Sequence, residues 1–154
     1  GVDTVAFLDA DNWYGPDHIE RMLTAMDQHH ADFVSSDRTL CRLDGTVMGP
    51  CPLTDPEHFI DTNAMMFGRG AFKVLHQWVL MPPYGHLIGD RIMLHHLKNA
   101  GLRRRHLNQG SVFYRCAKEG LYRQLNETIP EGVQARPDYE ASFRQWEADG
   151  QPPL

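Results

Sequence analysis

Thr4-Val5-Ala6-Phe7-Leu8 is a short apolar run that ends abruptly in Asp9-Ala10-Asp11-Asn12. A continuous apolar run of this length predicts a strand buried on both faces, as in a mostly parallel sheet. Pro16 suits the first position of a following helix, and Asp17 suits the positive end of its dipole. Ile19, Met22, Leu23 and Met26 then fall at i, i+3, i+4 and i+7, one apolar stripe. The first unit is strand, acidic loop, amphipathic helix.

Residues 31–36 return to the sheet, and 38–48 predict a hairpin around Asp44-Gly45, where Gly tolerates the positive φ of a tight turn. Pro50, Pro52 and Pro56 make 49–58 a loop. Residues 59–67 hold apolar pairs around Asp61-Thr62-Asn63 and predict a strand interrupted by polar groups. A short helix starts at Gly70, and Pro82-Pro83 closes that region. Residues 90–100 predict a second helix with Gly101 as its stop. Residues 102–114 predict one or two strands. Pro137-Asp138 starts a terminal helix with Tyr139, Phe143 and Trp146 on one face, which Gly150 and Pro152-Pro153 end. No internal repeat or low-complexity tract interrupts this order.

The 154 residues suit a single domain, and 42% hydrophobic with 23% charged residues is a globular composition. A formal charge of −5 gives no support to a general polyanion binder. The three cysteines, Cys41, Cys51 and Cys116, form no Cys-X-X-Cys pair, so a reducing compartment is expected rather than a disulfide framework or zinc ribbon. No run approaches the ~20 apolar residues of a membrane span. Beginning at Gly1 directly before a strand, the sequence reads as part of a longer chain.

Asp9 and Asp11 are the most informative residues. Each carboxylate costs several kcal/mol to desolvate unless something pairs it. The carboxyl ends of strands are also where open α/β sheets place ligands. A hard divalent cation, magnesium or manganese, answers both points by bridging to a diphosphate. The bland alternative is that both residues cap the turn and helix that follow.

Residues 7–13, Phe-Leu-Asp-Ala-Asp-Asn-Trp, followed by Pro16-Asp17 and an amphipathic helix, resemble family 2 glycosyltransferases of the GT-A fold. In that family an Asp-X-Asp motif holds a divalent metal against the diphosphate of a nucleotide sugar. Residues 59–69 with Ala71-Phe72 look like the family's acceptor-side segment, and Gly89-Asp90-Arg91 sits where relatives carry Glu-Asp, whose aspartate is the catalytic base. The resemblance covers roughly residues 4–101. It implies an α/β, GT-A-like mixed sheet flanked by helices, with the nucleotide-binding half absent before residue 1. The partial domain would span 1–154, with a core to about 116 and a helical extension over 117–154. Asp9 and Asp11 would hold Mn²⁺ or Mg²⁺, with Asp9 also able to contact the ribose. Asp90 would be the base. Asp61, Asn63, Trp78 and Arg91 would bind substrate.

The expected reaction is inverting transfer from a nucleotide-diphospho-sugar donor to a carbohydrate or other hydroxyl acceptor. A cytoplasmic location, at the inner face of a membrane, and a homo-oligomer belong to the same expectation, as does inactivity of these residues alone. The sequence departs from the family at Gly89, where the first acid is missing. It departs again after Tyr114-Arg115, where Cys116-Ala117-Lys118 lacks the metal-binding histidine, leaving His106 as a substitute.

Several residues have bland readings beside the functional ones. Asp90 could be only an N-cap, worth ~1 kcal/mol. The nine histidines have no metal-site spacing, and Arg103-Arg104-Arg105 reads as a solvated edge more readily than a phosphate or membrane contact. Trp13, Trp78 and Tyr84 could stack on a sugar, with Trp78 favoured. Two rival functions stand. One is a non-catalytic sugar- or metal-binding remnant. The other is a haloacid-dehalogenase-like phosphatase, in which the first aspartate would attack phosphorus; Trp13 stands where those enzymes place Thr or Val.

Overall fold

The opening apolar run pairs along one edge only. In the computed structural model, which describes residues 1–154, its strand β1 (Thr4–Ala6) lies antiparallel against β5 (Met65–Gly68) and is half-exposed. This corrects the expectation of a strand buried on both faces, because β1 is at the margin of the sheet. The remaining strands are β2 (Trp13–Tyr14), β3 (Phe33–Cys41), β4 (Val47–Pro50) and β6 (Arg104–Arg115). Their order is β1-β5-β3-β6-β2, with β4 pairing β3. Only β3 and β6 run parallel, so the sheet is mixed rather than mostly parallel.

β3 is nine residues long and joins what the sequence divides into a strand and half a hairpin. The hairpin turn is as expected. Gly45 takes φ +90°, and the Asp44 carboxylate accepts from the Thr46 amide at 2.9 Å. Residues 104–115 form one 12-residue strand.

Six helices flank the sheet: α1 (His18–Gln28), α2 (Phe72–Leu75), α3 (Gln77–Leu80), α4 (Gly89–Asn99), α5 (Glu119–Gln124) and α6 (Tyr139–Ala148). Period-two alternation in β3 and β5 sorts the core into two layers. Phe33, Met65 and Phe67 face α4 and α6, while Val34 and Met66 face α1. Burying a side chain such as Phe33 or Phe67 contributes about 1.5–3 kcal/mol.

The buried face of α1 is not the expected stripe. His18, Met22 and Ala25 are buried, whereas Ile19 and Leu23 are 40% and 41% exposed. The helix is rotated because the His18 ring stacks on Tyr14 at 4.1 Å and its Nδ1 meets Ser111 Oγ at 2.8 Å. Burial pushes the His18 imidazole down to about 4. Pro16 precedes the N-cap Asp17 instead of opening the helix. No helix is long and apolar enough to cross a membrane.

α4 ends as the sequence predicts, with Gly101 at φ +65°. α6 is capped by Asp138, which accepts from the Ala141 amide at 3.0 Å, and it buries Trp146 in the main core.

Candidate functional site

Three consecutive residues, Asp61-Thr62-Asn63, each reach a different element. The turn forms because the Asp61 carboxylate accepts the Asn63 amide at 3.0 Å, capping a 3-10 turn over Thr62–Ala64. The other oxygen of Asp61 takes an ion pair from Arg38 of β3, and both side chains are buried, 7% and 4% exposed. The Thr62 hydroxyl donates to the Asp90 carboxylate of α4. Asn63 faces the acidic loop: its carbonyl accepts from the Asp9 amide at 2.6 Å, and its Nδ2 donates to Asp9 at 2.9 Å and to Asp61 at 2.8 Å. Asp9 and Asp90 are thereby held in one hydrogen-bonded frame, although 81 positions separate them in sequence.

Asp90 lies in the first turn of α4 but is not its cap, since Ile88 holds that position. The capping interpretation is therefore corrected. Burial, reinforced by the neighbouring charge of Asp61, pushes its carboxyl up to about 7, with Thr62 and Arg38 opposing. Arg38 stays firmly cationic: burial opposes its charge, but Asp61 more than offsets this. The Tyr114 ring covers the Arg38 guanidinium at 4.2 Å. Asp61, Asp90, Arg38 and Tyr114 open onto a cleft of about 530 Å³, within the range of small-ligand sites.

Gly89 has a packing reason. A Cβ there would lie 3.1 Å from the Trp78 ring and 3.2 Å from Met81 Sδ, so the space for a side chain is taken. Trp78 itself leans on Phe7 at 6.1 Å, packs at the margin of the core and does not line the cleft. Tyr84 donates to Asp149 at the end of α6, and Trp13 stacks on Phe113 at 5.4 Å. Arg104 and Arg103 are engaged with Glu57 and Asp32, in line with a solvated edge.

Asp9 and Asp11 are exposed at the turn after β1, which Asn12 anchors by accepting the Arg115 amide at 2.9 Å. No three His, Cys, Asp or Glu side chains gather to form a self-sufficient metal cage. The donor set still fits a hard cation of the magnesium type, which takes one or two carboxylates and completes its shell with waters and substrate phosphates. Asp11 and the oxygen of Asp9 not bonded to Asn63 are the two available donors. His106 is not a third ligand. It bonds Ser35 and Asp37 and stands nine positions before Arg115 on β6, roughly 30 Å along an extended strand.

The family model for glycosyl transferase family 2 matches residues 2–107, more than half of the chain. The chain belongs to glycosyltransferase family 2. No curated protein matches it. The matched segment of this transferase contains Asp9, Asp11, the 61–63 turn and Asp90, and it ends within β6. Family membership displaces the phosphatase reading.

The structure gathers Asp9, Asp61, Asn63 and Asp90 and places Arg91 on the cleft wall. Arg38, Thr62, Tyr114 and Lys118 complete the site without having been singled out as site residues. Arg38 sits in a polar stretch, Ser35-Ser36-Asp37-Arg38-Thr39, so nothing local marked it as buried. Thr62 had no signal either.

Proposed function

We propose that this glycosyltransferase moves a sugar from a nucleotide-diphospho-sugar to an acceptor hydroxyl with inversion, using Asp90 as the base. The carrying observation is the 61–63 turn, which ties the acidic loop and the carboxylate of α4 into one frame. Asp11, with Asp9, would hold Mn²⁺ or Mg²⁺, whose charge would stabilise the departing diphosphate.

In the transfer step the acceptor oxygen bonds to the anomeric carbon as the bond from that carbon to the diphosphate oxygen breaks. The electron pair leaves with the diphosphate, and the hydroxyl proton passes to Asp90. One displacement of this kind inverts the anomeric centre. A carboxyl near 7 suits this role, because a base works best when its affinity for protons matches the working pH. Arg38 and Asp61 do not react; their ion pair fixes the turn that aims Asp90.

Titrating the chain with manganese and uridine or guanosine diphosphate tests the donor side by calorimetry. Asp11→Asn should abolish the metal-dependent heat while leaving the fold intact. Equal binding by that variant would remove Asp11 from the metal site.

A further inference from the structure

The cleft beside Asp90 is cationic in a protein of net charge −5. Arg38 is neutralised by Asp61. At the rim, Arg123 pairs with Glu119 at 3.1 Å and Arg136 with Glu140 at 2.6 Å. Two cations on the walls have no such carboxylate. Arg91 is half-buried, lies over the Phe59 and Phe143 rings at 5.0 and 5.7 Å, and donates only to the His58 carbonyl at 2.9 Å. Lys118 donates only to the neutral side chain of Gln134.

A guanidinium has five donors in a fork that matches a carboxylate or phosphate, and holding it half-buried without an anion is unfavourable. Burial indeed pulls Arg91 down from the usual arginine range. Asp90 and Asp55 favour the Arg91 charge from a distance, but Arg91 donates to neither and its fork of donors stays open apart from the His58 carbonyl. The apolar walls, Phe59, Leu121, Tyr139 and Phe143, suit the faces of a ring.

Resting on the transferase reading, we propose that the acceptor carries an anionic group, phosphate or carboxylate, bound by Arg91 and Lys118 while its nucleophilic hydroxyl faces Asp90. A volume of about 530 Å³ fits a charged mono- or disaccharide unit. Lys118, Leu121, Tyr139 and Phe143 lie beyond the family-matched residues 2–107, so one of the two cations and much of the apolar wall come from the chain's own C-terminal part, while Arg91 lies within the matched segment.

The test is binding by the whole chain of glucose 6-phosphate and glucuronate against glucose, at low and high salt. The anionic sugars should bind at least tenfold more tightly than glucose at low salt and lose most of that advantage at high salt. Arg91→Gln with Lys118→Gln should bring all three to the level of glucose. Lys118→Gln alone, at a position no core contact depends on, should weaken both anions severalfold and guards against misfolding of the double variant. Manganese with uridine or guanosine diphosphate should leave anion binding in place. Equal binding of charged and neutral sugars, or no effect of the variants, overturns the proposal. Displacement by the nucleoside diphosphate assigns the cations to the donor and overturns it too. Anion binding that persists in a chain unable to bind metal and nucleotide would sink the transferase reading while leaving the cleft's specificity standing.

Discussion

Asp90, the proposed base, is held where ionisation is costly, yet a base must ionise to act. Its raised value means that the unfolded chain releases this proton from about pH 4, whereas the folded chain keeps it until about 7. The contribution of Asp90 to stability is thus fully present below pH 4, falls between 4 and 7, and is lost above 7. Asp90→Asn removes that loss and keeps an acceptor for Thr62. Thermal melts should show the variant more stable than the parent at pH 8, with the difference shrinking towards pH 4. Turnover should fall by about 10²–10⁴, the usual share of a positioned base. The parent's rate should rise with pH through about 7; a flat profile would point to another base. Asn63 poses the opposite case, a neutral group whose bonds are structural. Asn63→Ala leaves the Asp9 amide without its acceptor and takes from Asp61 one of the two donors on its Oδ1, the Asn63 backbone amide remaining, an expected cost of about 1–3 kcal/mol by urea denaturation. Metal-nucleotide affinity should weaken as well, because Asp9 loses its orientation.

Among the elements, α6 links stability to the cleft beside Asp90. Its Trp146 is buried in the main core and donates to the Pro152 carbonyl at 2.7 Å, while Tyr139 and Phe143 of the same helix line the cleft. Trp146→Ala should cost about 3–5 kcal/mol, as large aromatic truncations do. It should weaken binding of a sugar in the cleft and leave manganese–nucleotide binding at Asp9 and Asp11 unchanged where the variant is folded. Loss of both together would show that the two sides unfold as one unit. The helix α1 carries a different lesson. Its hydrophobic period is correct, but the stacking of His18 on Tyr14 turns the buried face by about one position, leaving Ile19 and Leu23 in solvent.

At the scale of the whole molecule, the buried Arg38–Asp61 pair fastens the central strand to the turn that serves both halves of the site. Arg38→Met leaves Asp61 buried and unpaired, and breaking such a pair costs about 3–5 kcal/mol. Chemical denaturation should read that loss. Arg38→Met with Asp61→Leu should recover much of the stability but not the transfer activity, because the apolar pair no longer holds the 61–63 turn. Recovery of both would reduce the pair to simple filling.

The sequence by itself determined the parts whose signals are local. The acidic loop after β1, the Asp-Gly hairpin, the glycine stop of α4 and the aromatic face of α6 follow from turn chemistry, capping and period, which act within a few residues. The resemblance to family 2 glycosyltransferases was carried by the ordered residues 7–13, 59–69 and 89–91. The tertiary structure alone decided which polar groups meet. Thr62 reaches Asp90 across 28 positions and Asn63 reaches Asp9 across 54, contacts set by the pairing of β5 with β1 and β3 rather than by any spacing. It also decided burial. The margin position of β1, the filling of the space above Gly89 by Trp78, and the withdrawal of His106 from the acidic loop depend on strand order, and strand order depends on which long-range pairs bury the most apolar surface together.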